Sequence, residues 1–200
     1  MKTGIYGGTF SPPHIGHIAA ARAFVSALEL DELLIIPALI PPHKELDYPD
    51  DPKKRLEMCQ LAFGEIDKAE ICNIELCRGG KSYTVDTLTE LTRDGRELFL
   101  LCGTDMIMTL DTWYRPDEIF RLCTPVCIRR ETSKNGEKLL RLKIKEYKKK
   151  YGVEIPMIDA PTIEISSSEL REAVRSGKSI SEYVTPSVKA YIEENKLYVV

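Results

Sequence analysis

Short apolar runs alternate along this chain with longer segments whose apolar residues recur every three or four positions. Such alternation predicts buried strands that are connected by amphipathic helices. Strands are predicted at residues 3–6, 33–36, 71–74, 98–102, 126–128 and 155–158. Because strands that alternate with helices form right-handed crossovers, the predicted fold is an α/β fold with a mostly parallel sheet. Sheets of this kind bind ligands beyond the carboxyl ends of their strands, so the turn after the first strand is a favoured place for chemistry.

Four longer segments predict helices. One begins near Gly16 and buries a stripe formed by Ile18, Ala21, Val25 and Leu28. A second begins after an Asp51 N-cap and a first-turn proline, and its inner side is predicted to carry Leu56, Cys59 and Phe63. A third is marked by Val85, Leu88 and Leu91 and ends at residues 94–95. The basic residues 138–150 predict a solvated helix with partial packing by Leu139, Leu142 and Ile144.

Composition and charge narrow the function. The 200 residues suit a single domain, and 43% hydrophobic with 30% charged residues is ordinary for a soluble protein. A net charge of -3 gives no electrostatic reason to expect nucleic acid as a partner, so a small ligand is favoured. No run approaches the roughly 20 apolar residues that span a bilayer. The N-terminus also enters a strand pattern without a signal peptide. We therefore expect a cytoplasmic protein that does not bind membranes.

Six cysteines are present, and none of them forms a C-x-x-C pair. Zinc or thioredoxin-like chemistry therefore has little support. Most of the cysteines lie in apolar runs, where a free thiol packs as a small core side chain. That interpretation implies a reducing compartment.

Residues 7–17 read Gly-Gly-Thr-Phe-Ser-Pro-Pro-His-Ile-Gly-His and follow the first predicted strand directly. The glycines at 7–8 remove side chains where a backbone has to approach a ligand closely. The prolines at 12–13 stiffen the turn. Gly16 lies near a helix start, where unpaired N–H groups and the helix dipole attract phosphate. This string predicts a phosphate-binding turn.

Two of the three histidines in the chain, His14 and His17, fall in this one turn. A spacing of three residues lets both imidazoles face the same side of the first helical turn and donate hydrogen bonds to phosphate oxygens. A purely structural histidine pair and a metal site were weighed as alternatives. The metal site lacks a third ligand of the right type nearby, so no protein metal ligand is predicted.

A second phosphate site is suggested by residues 165–171, Ile-Ser-Ser-Ser-Glu-Leu-Arg. Ser166 and Glu169 form a capping box that starts a helix running to about Gly177. The hydroxyl-rich helix start, with Arg171 one turn later, can cradle a phosphate. A capping box alone is common, and a purely structural role stays open from the residues themselves.

The string Gly-Gly-Thr-Phe-Ser-Pro-Pro-His-Ile-Gly-His resembles the signature of the His-x-Gly-His nucleotidyltransferase superfamily, and in its full length it is similar to bacterial nicotinate-nucleotide adenylyltransferases. Ser11 stands where that family usually has aspartate. The resemblance implies a Rossmann-like, doubly wound sheet flanked by helices in one domain over residues 1–200. It also implies a small C-terminal helical portion at about 165–200. The implied activity is transfer of AMP from ATP to nicotinate mononucleotide, which gives nicotinate adenine dinucleotide and pyrophosphate.

The same resemblance implies roles for individual residues. The residues implied to bind ATP are Gly8, Thr9, Phe10, His14, His17, Asp105, Ile165, Ser167, Ser168 and Arg171, of which His14, His17 and Arg171 would be catalytic. The residues implied to bind the acceptor are Lys44, Thr84, Trp113 and Tyr114. Trp113 would stack on the pyridine ring, and Lys44 would reach a substrate phosphate.

The expected chemistry needs no general base, because a phosphate monoester is already a nucleophilic anion. Its attack on the α-phosphorus would then be promoted by positioning and charge stabilisation. Magnesium is expected as a companion of ATP, held chiefly by phosphate oxygens and water. A homo-oligomer is possible, although the sequence does not specify one.

Several other functions were weighed. Nicotinamide mononucleotide or phosphopantetheine could replace the nicotinate acceptor, and a non-catalytic nucleotide sensor could keep the same fold. A P-loop protein is excluded because Glu75 stands where that motif requires its first glycine. The glycines near the first strand also lack the spacing of a Rossmann dehydrogenase.

Overall fold

A computed structural model describes residues 1–42, 51–92, 95–129, 134–161 and 163–199. Its centre is a six-stranded sheet with the strand order β3-β2-β1-β4-β5-β6. The strands are β1 Lys2–Gly8, β2 Glu32–Pro37, β3 Ala69–Ile71, β4 Glu97–Gly103, β5 Thr124–Arg129 and β6 Met157–Asp159. All five strand pairings are parallel. This is the strand order of a doubly wound Rossmann-type sheet, so the predicted fold class is confirmed.

Nine α-helices surround the sheet in the described part of the chain. They are α1 Ile15–Leu28, α2 Pro52–Phe63, α3 Ile74–Arg78, α4 Thr84–Leu91, α5 Thr104–Thr109, α6 Pro116–Leu122, α7 Lys134–Tyr151, α8 Ser167–Arg175 and α9 Pro186–Glu194. A 3₁₀ turn at Leu110–Thr112 follows α5. Across these ranges, no helix is both long enough and apolar enough to cross a membrane.

The strands are apolar on both faces because each face of the sheet is covered by helices. In β2, Leu33 and Ile35 point to a core shared with α1, α2, α8 and α9. Leu34 and Ile36 point to a second core shared with α4, α5, α6 and α7. From β1 the chain adds β2 and β3 on one side and β4, β5 and β6 on the other. The junction of β1 and β4 is therefore the switch point, where such sheets open a crevice.

Two predicted strands were misplaced. β3 ends at Ile71, and Ile74 instead begins the short helix α3. A run as short as Ile-Cys-Asn-Ile does not distinguish a strand from a helix turn, which explains the error. The last strand begins at Met157, two residues later than predicted, while Ile155 is buried ahead of it.

The predicted packing face was partly wrong for α7 and was confirmed for α1. On α7, Leu139 and Leu142 are 57% and 48% exposed, so their predicted packing role is wrong. Leu140 and Tyr147 are the side chains buried on this helix. On α1 the predicted Ala21 is buried, and the predicted Ile18, Val25 and Leu28 are partly buried and pack against the core shared with α2, α8 and α9.

The C-terminal helices α8 and α9 pack into the same core as α1 and α2, through Leu170, Val188 and Ile192. Their packing places the start of α8 beside the turn that follows β1. The division of the chain at about residue 165 stays a prediction.

Candidate active site

The turn after β1 closes around an aromatic ring. Phe10 has a φ of 49° and turns its ring back over Gly8. A Cβ added at Gly8 would lie 2.8 Å from the ring, so a larger residue does not fit there. The ring is buried, and its centroid lies 5.2 Å from that of His17 and 5.5 Å from that of Phe63. Gly8 therefore keeps bare backbone at the edge of the site.

His14 and His17 face each other at the start of α1, with ring centroids 3.7 Å apart. His14 is 6% exposed and His17 is partly buried. The backbone N–H of His14 donates to Nδ1 of His17 at 3.1 Å. Since Nδ1 accepts this bond, the neutral ring carries its proton on Nε2 and can donate from that atom. Gly16 leaves room for the ring of His14, which lies 3.0 Å from the place of a Cβ.

A cavity of about 230 Å³ opens beside this turn. It lies at the carboxyl ends of β1, β4 and β5, and we call it the first cavity. Six of the predicted ATP-binding residues line it: Gly8, Phe10, His14, His17, Asp105 and Ile165. Asp105 lies on the first turn of α5, and its Oδ1 is 2.7 Å from where Gly103 would carry a Cβ. The missing side chain of Gly103 thus makes room for this carboxylate.

The start of α8 holds the turn from outside the cavity. The predicted capping box is confirmed, since Ser166 Oγ accepts from the N–H of Glu169 at 3.2 Å and the Glu169 carboxylate accepts from the N–H of Ser166 at 2.7 Å. These bonds fix the first turn of α8, so the next hydroxyl can reach the glycine-rich turn. Ser167 Oγ donates to the carbonyl of Pro12 at 2.9 Å.

Arg171 is buried, with 2% of its surface exposed. Its Nη1 donates to the carbonyl of Ser11 at 3.0 Å, and its Nη2 donates to Ser168 Oγ at 3.1 Å. The two predicted phosphate-binding segments are therefore in direct contact. However, Ser167, Ser168 and Arg171 are not among the residues that line the first cavity. Their phosphate roles stay predictions.

A second cavity of about 150 Å³ lies next to the first one. Three of the predicted acceptor residues, Thr84, Trp113 and Tyr114, come together there with Thr9. The two cavities share Gly7, Gly8, Leu101 and Met106. The fourth predicted acceptor residue, Lys44, lies outside the described residues.

Aromatic rings form part of the wall of the second cavity. Tyr114 is 50% exposed, and its ring centroid lies 4.5 Å from that of Tyr83. The segment that leads to Trp113 is anchored by Tyr147, whose hydroxyl donates to the carbonyl of Ile107 at 2.9 Å. The same hydroxyl accepts from the N–H of Asp111 at 3.2 Å.

Sequence reasoning missed three buried polar residues near the second cavity, namely Arg55, Glu75 and Ser82. Arg55 gave a usable signal, because it lies one turn before Met58 and Cys59 on the buried side of α2. Burial raises the pKa of Glu75, although hydrogen bonds from Ser82 and Thr87 partly oppose that shift. Glu75 lines the second cavity.

The cysteines take no part in the site. Cys59, Cys102, Cys123 and Cys127 are buried, as expected for core residues. Burial raises the pKa of Cys127 to about 11, which disfavours the reactive thiolate. The described side chains also contain no group of three His, Cys, Asp or Glu residues arranged to hold a metal ion.

Two adjacent cavities at the switch point of a doubly wound sheet, one of them walled by a His-x-Gly-His turn, define a nucleotidyltransferase. The model of the cytidylyltransferase-like family matches residues 5–173. The chain belongs to this family and, within it, to the nicotinate-nucleotide adenylyltransferases.

The second part of that assignment rests on full-length relatives. A probable nicotinate-nucleotide adenylyltransferase of Shouchella clausii is 37% identical over 98% of this chain and 96% of its own length. The corresponding protein of Caldicellulosiruptor saccharolyticus is 33% identical over 99% of both chains. The chain thus resembles these relatives along its whole length.

Solved structures show the same fold. Plasmodium falciparum nicotinic acid mononucleotide adenylyltransferase complexed with NaAD superimposes with a TM-score of 0.77 at 18% identity, covering 99% of this chain and 98% of that one. A putative nicotinate-nucleotide adenylyltransferase from Vibrio parahaemolyticus gives a TM-score of 0.67 at 18% identity, covering 99% and 96%. At these identities the similarity establishes the fold.

Proposed function

We propose that this enzyme transfers the adenylyl group of ATP to nicotinate mononucleotide, forming nicotinate adenine dinucleotide and pyrophosphate. The observation that carries the proposal is the pair of adjacent cavities, which share Gly7, Gly8, Leu101 and Met106 as lining residues. At the two glycines of this shared lining, no side chain keeps the phosphate-bearing ligands apart. The first cavity would hold ATP, and the second would hold the acceptor.

In the proposed reaction, an oxygen of the acceptor phosphate attacks the α-phosphorus of ATP in line. A new P–O bond forms as the bond to the bridging α–β oxygen breaks, and pyrophosphate leaves with the electron pair. The acceptor phosphate is already anionic, so no proton has to be removed before attack. Holding the two reactants in line can contribute up to about 7–11 kcal/mol of barrier reduction.

His17 is the best-placed donor for the charge that develops on the α-phosphate. Its Nδ1 is occupied by the N–H of His14, which leaves Nε2 as the donating atom. Both rings line the first cavity at the N-terminus of α1, where the helix dipole also favours anions. A well-aimed donor of this kind is worth roughly 3 kcal/mol in the transition state.

Arg171, Ser167 and Ser168 are proposed to serve the leaving pyrophosphate. Arg171 and Ser167 also donate to the carbonyls of Ser11 and Pro12, so they fix the turn as well. MgATP is the proposed substrate form. Asp105, which lines the first cavity, is proposed to contact the nucleotide ribose, and the Mg²⁺ would be held chiefly by phosphate oxygens and water.

Acceptor recognition is proposed for the second cavity. Trp113 would stack on the pyridine ring, while Thr84 and the backbone near Tyr114 would receive its carboxylate. Lys44 would contact a substrate phosphate. This cavity is lined by Trp113, Tyr114 and Thr84 together, which supports a flat aromatic ligand there.

Acceptor selection is the direct test of this function. The purified protein is incubated with ATP, Mg²⁺ and either nicotinate mononucleotide, nicotinamide mononucleotide or phosphopantetheine, and pyrophosphate release is followed. We expect the highest kcat/KM with nicotinate mononucleotide. Faster turnover of another acceptor would reassign the substrate, and ATP binding without turnover of any of them would favour a nucleotide sensor.

A further inference from the structure

A buried arginine connects the turn after β1 with the segment after β2. Arg55 lies on α2 and is 1% exposed. Its Nη1 donates to the carbonyl of Thr9 at 2.9 Å, and its Nη2 donates to the carbonyl of Leu39 at 3.2 Å. Thr9 follows the shared wall at Gly8. Leu39 lies in the segment after β2, beside Ala38 of the second cavity.

The polar chain continues from Leu39 to α4. The N–H of Leu39 donates to Ser82 Oγ at 2.8 Å, and the N–H of Ser82 donates to the carbonyl of Ile40 at 2.9 Å. Against the raising effect of burial, the Ser82 hydroxyl also lowers the pKa of Glu75, whose carboxylate accepts from Thr87 Oγ1 at 2.7 Å. The side chains of Ser82, Glu75 and Thr87 are all buried. One buried chain of contacts therefore links the turn after β1 with the helix that begins at Thr84.

Packing alone does not explain an arginine at position 55. The neighbouring buried residues on α2 are Met58, Cys59 and Ala62, and an apolar side chain would suit that stripe at a lower desolvation cost. The guanidinium is compensated by two carbonyls, and its charge also lowers the pKa of Glu75 against the raising effect of burial. Its planar fork can hold both carbonyls at once, which a lysine ammonium does not reproduce.

We propose that Arg55 is a positioning residue for the transfer step. By holding Thr9 and Leu39 together, it sets the spacing between the turn beside ATP and the segment beside the acceptor. It thereby sets the distance between the two reacting phosphates. This inference rests on the proposed function. Misplacement of reactants by about 1 Å can reduce turnover about 100-fold even when both still bind.

The test separates alignment from binding. For Arg55→Lys and Arg55→Met, kcat and the KM of each substrate are measured, together with calorimetric binding of ATP and of nicotinate mononucleotide separately. We expect kcat to fall by about 10- to 100-fold. Each KM and each separate binding constant should stay within about threefold of the wild-type value, because each cavity keeps its own lining.

Two further variants make the test specific. Lys68→Met removes a cation–carbonyl bond, from Lys68 Nζ to Leu30 O at 2.8 Å, that touches neither cavity. This control should keep the wild-type kcat. Ser82→Ala removes a hydroxyl from the same chain of contacts, at the end near α4. It should also lower kcat, and it serves as the test if neither variant at position 55 folds.

Wild-type kcat in Arg55→Lys or Arg55→Met with an unchanged melting temperature would overturn the proposal. So would a fall in kcat that appears only together with equal losses of binding for both substrates. If the proposed function is wrong, the wild-type protein itself fails to transfer AMP to nicotinate mononucleotide, and that result precedes any variant.

Discussion

The walls of the two cavities are held in different ways. In the first cavity, the turn from Ser11 to Ile15 is bonded to the C-terminal part of the chain at three backbone atoms. Arg171 donates to the carbonyl of Ser11 and Ser167 to that of Pro12, while the N–H of Ile15 donates to the carbonyl of Tyr183. This wall is fixed by residues more than 150 positions away in sequence.

The second cavity has a more open wall. Trp113 is partly buried and Tyr114 is exposed, and both line this cavity. Its anchors are Tyr147, which holds the segment leading to Trp113, and Arg55, which holds Thr9 and Leu39.

This difference suggests a division of labour. Stabilising the charge of a transition state needs donors that are already in place, because reorganisation during the reaction consumes the gain. Selecting an acceptor can instead use aromatic rings, which contribute binding free energy over their whole contact area. We therefore expect substitution of the hydrogen-bond donors of the first cavity to lower kcat, and substitution of the aromatic rings of the second cavity to raise the KM of the acceptor.

The largest effect is expected for His17→Ala, which should lower kcat about 100-fold or more because it removes the Nε2 donor. The KM of ATP should change much less than kcat, since the lost bond is strongest in the transition state. Steady-state kinetics and the melting temperature check both statements. His17→Gln is the matched control, because it keeps a side-chain N–H and should recover part of the loss. A kcat near the wild-type value in His17→Ala would remove His17 from the mechanism.

The sequence was sufficient for the parts of the molecule that local pattern determines. Periodicity identified the strands on both sides of the switch point, and the glycines, prolines and histidines of residues 7–17 marked the turn. The sequence did not determine which side of α7 faces inward, because either of the adjacent leucines 139 and 140 could mark the buried face.

The carbonyl partners of the buried arginines were not predictable, for a different reason. Arg55 and Arg171 both donate to backbone carbonyls, at Thr9, Leu39 and Ser11. Carbonyl groups are present at every position, so they leave no mark in the sequence that identifies a partner. The tertiary roles of these arginines became visible only when the fold brought those carbonyls together.

A smaller effect is expected at the second cavity. Trp113→Ala should raise the KM of nicotinate mononucleotide about 10-fold, because stacking on an aromatic ring is worth roughly 1–3 kcal/mol. The KM of ATP and kcat at saturating acceptor should change little. Trp113→Phe keeps an aromatic face and should retain most of the affinity. Equal rises in both KM values would show that the two cavities are not separable in this way.

The smallest effect tests how firmly the first cavity is held. Ser11 is buried, and its Oγ is 2.9 Å from the hydroxyl of Tyr198 near the C-terminus. Removing one neutral hydrogen bond costs about 1 kcal/mol, so Ser11→Ala and Tyr198→Phe should each lower the free energy of unfolding by about that amount. Each should also lower kcat by a few-fold, since the bond ends on the turn that carries both histidines.

A double-mutant cycle decides whether the two hydroxyls act together. The combined variant should lose about as much stability as either single variant, which corresponds to a coupling of about 1 kcal/mol. Tyr191→Phe is the matched control, because its hydroxyl binds Glu57 at 2.7 Å on the surface and does not contact the turn. It should leave kcat unchanged. If the losses from Ser11→Ala and Tyr198→Phe simply add, Tyr198 does not hold the turn through Ser11. The turn is then held by its contacts with Arg171, Ser167 and Tyr183.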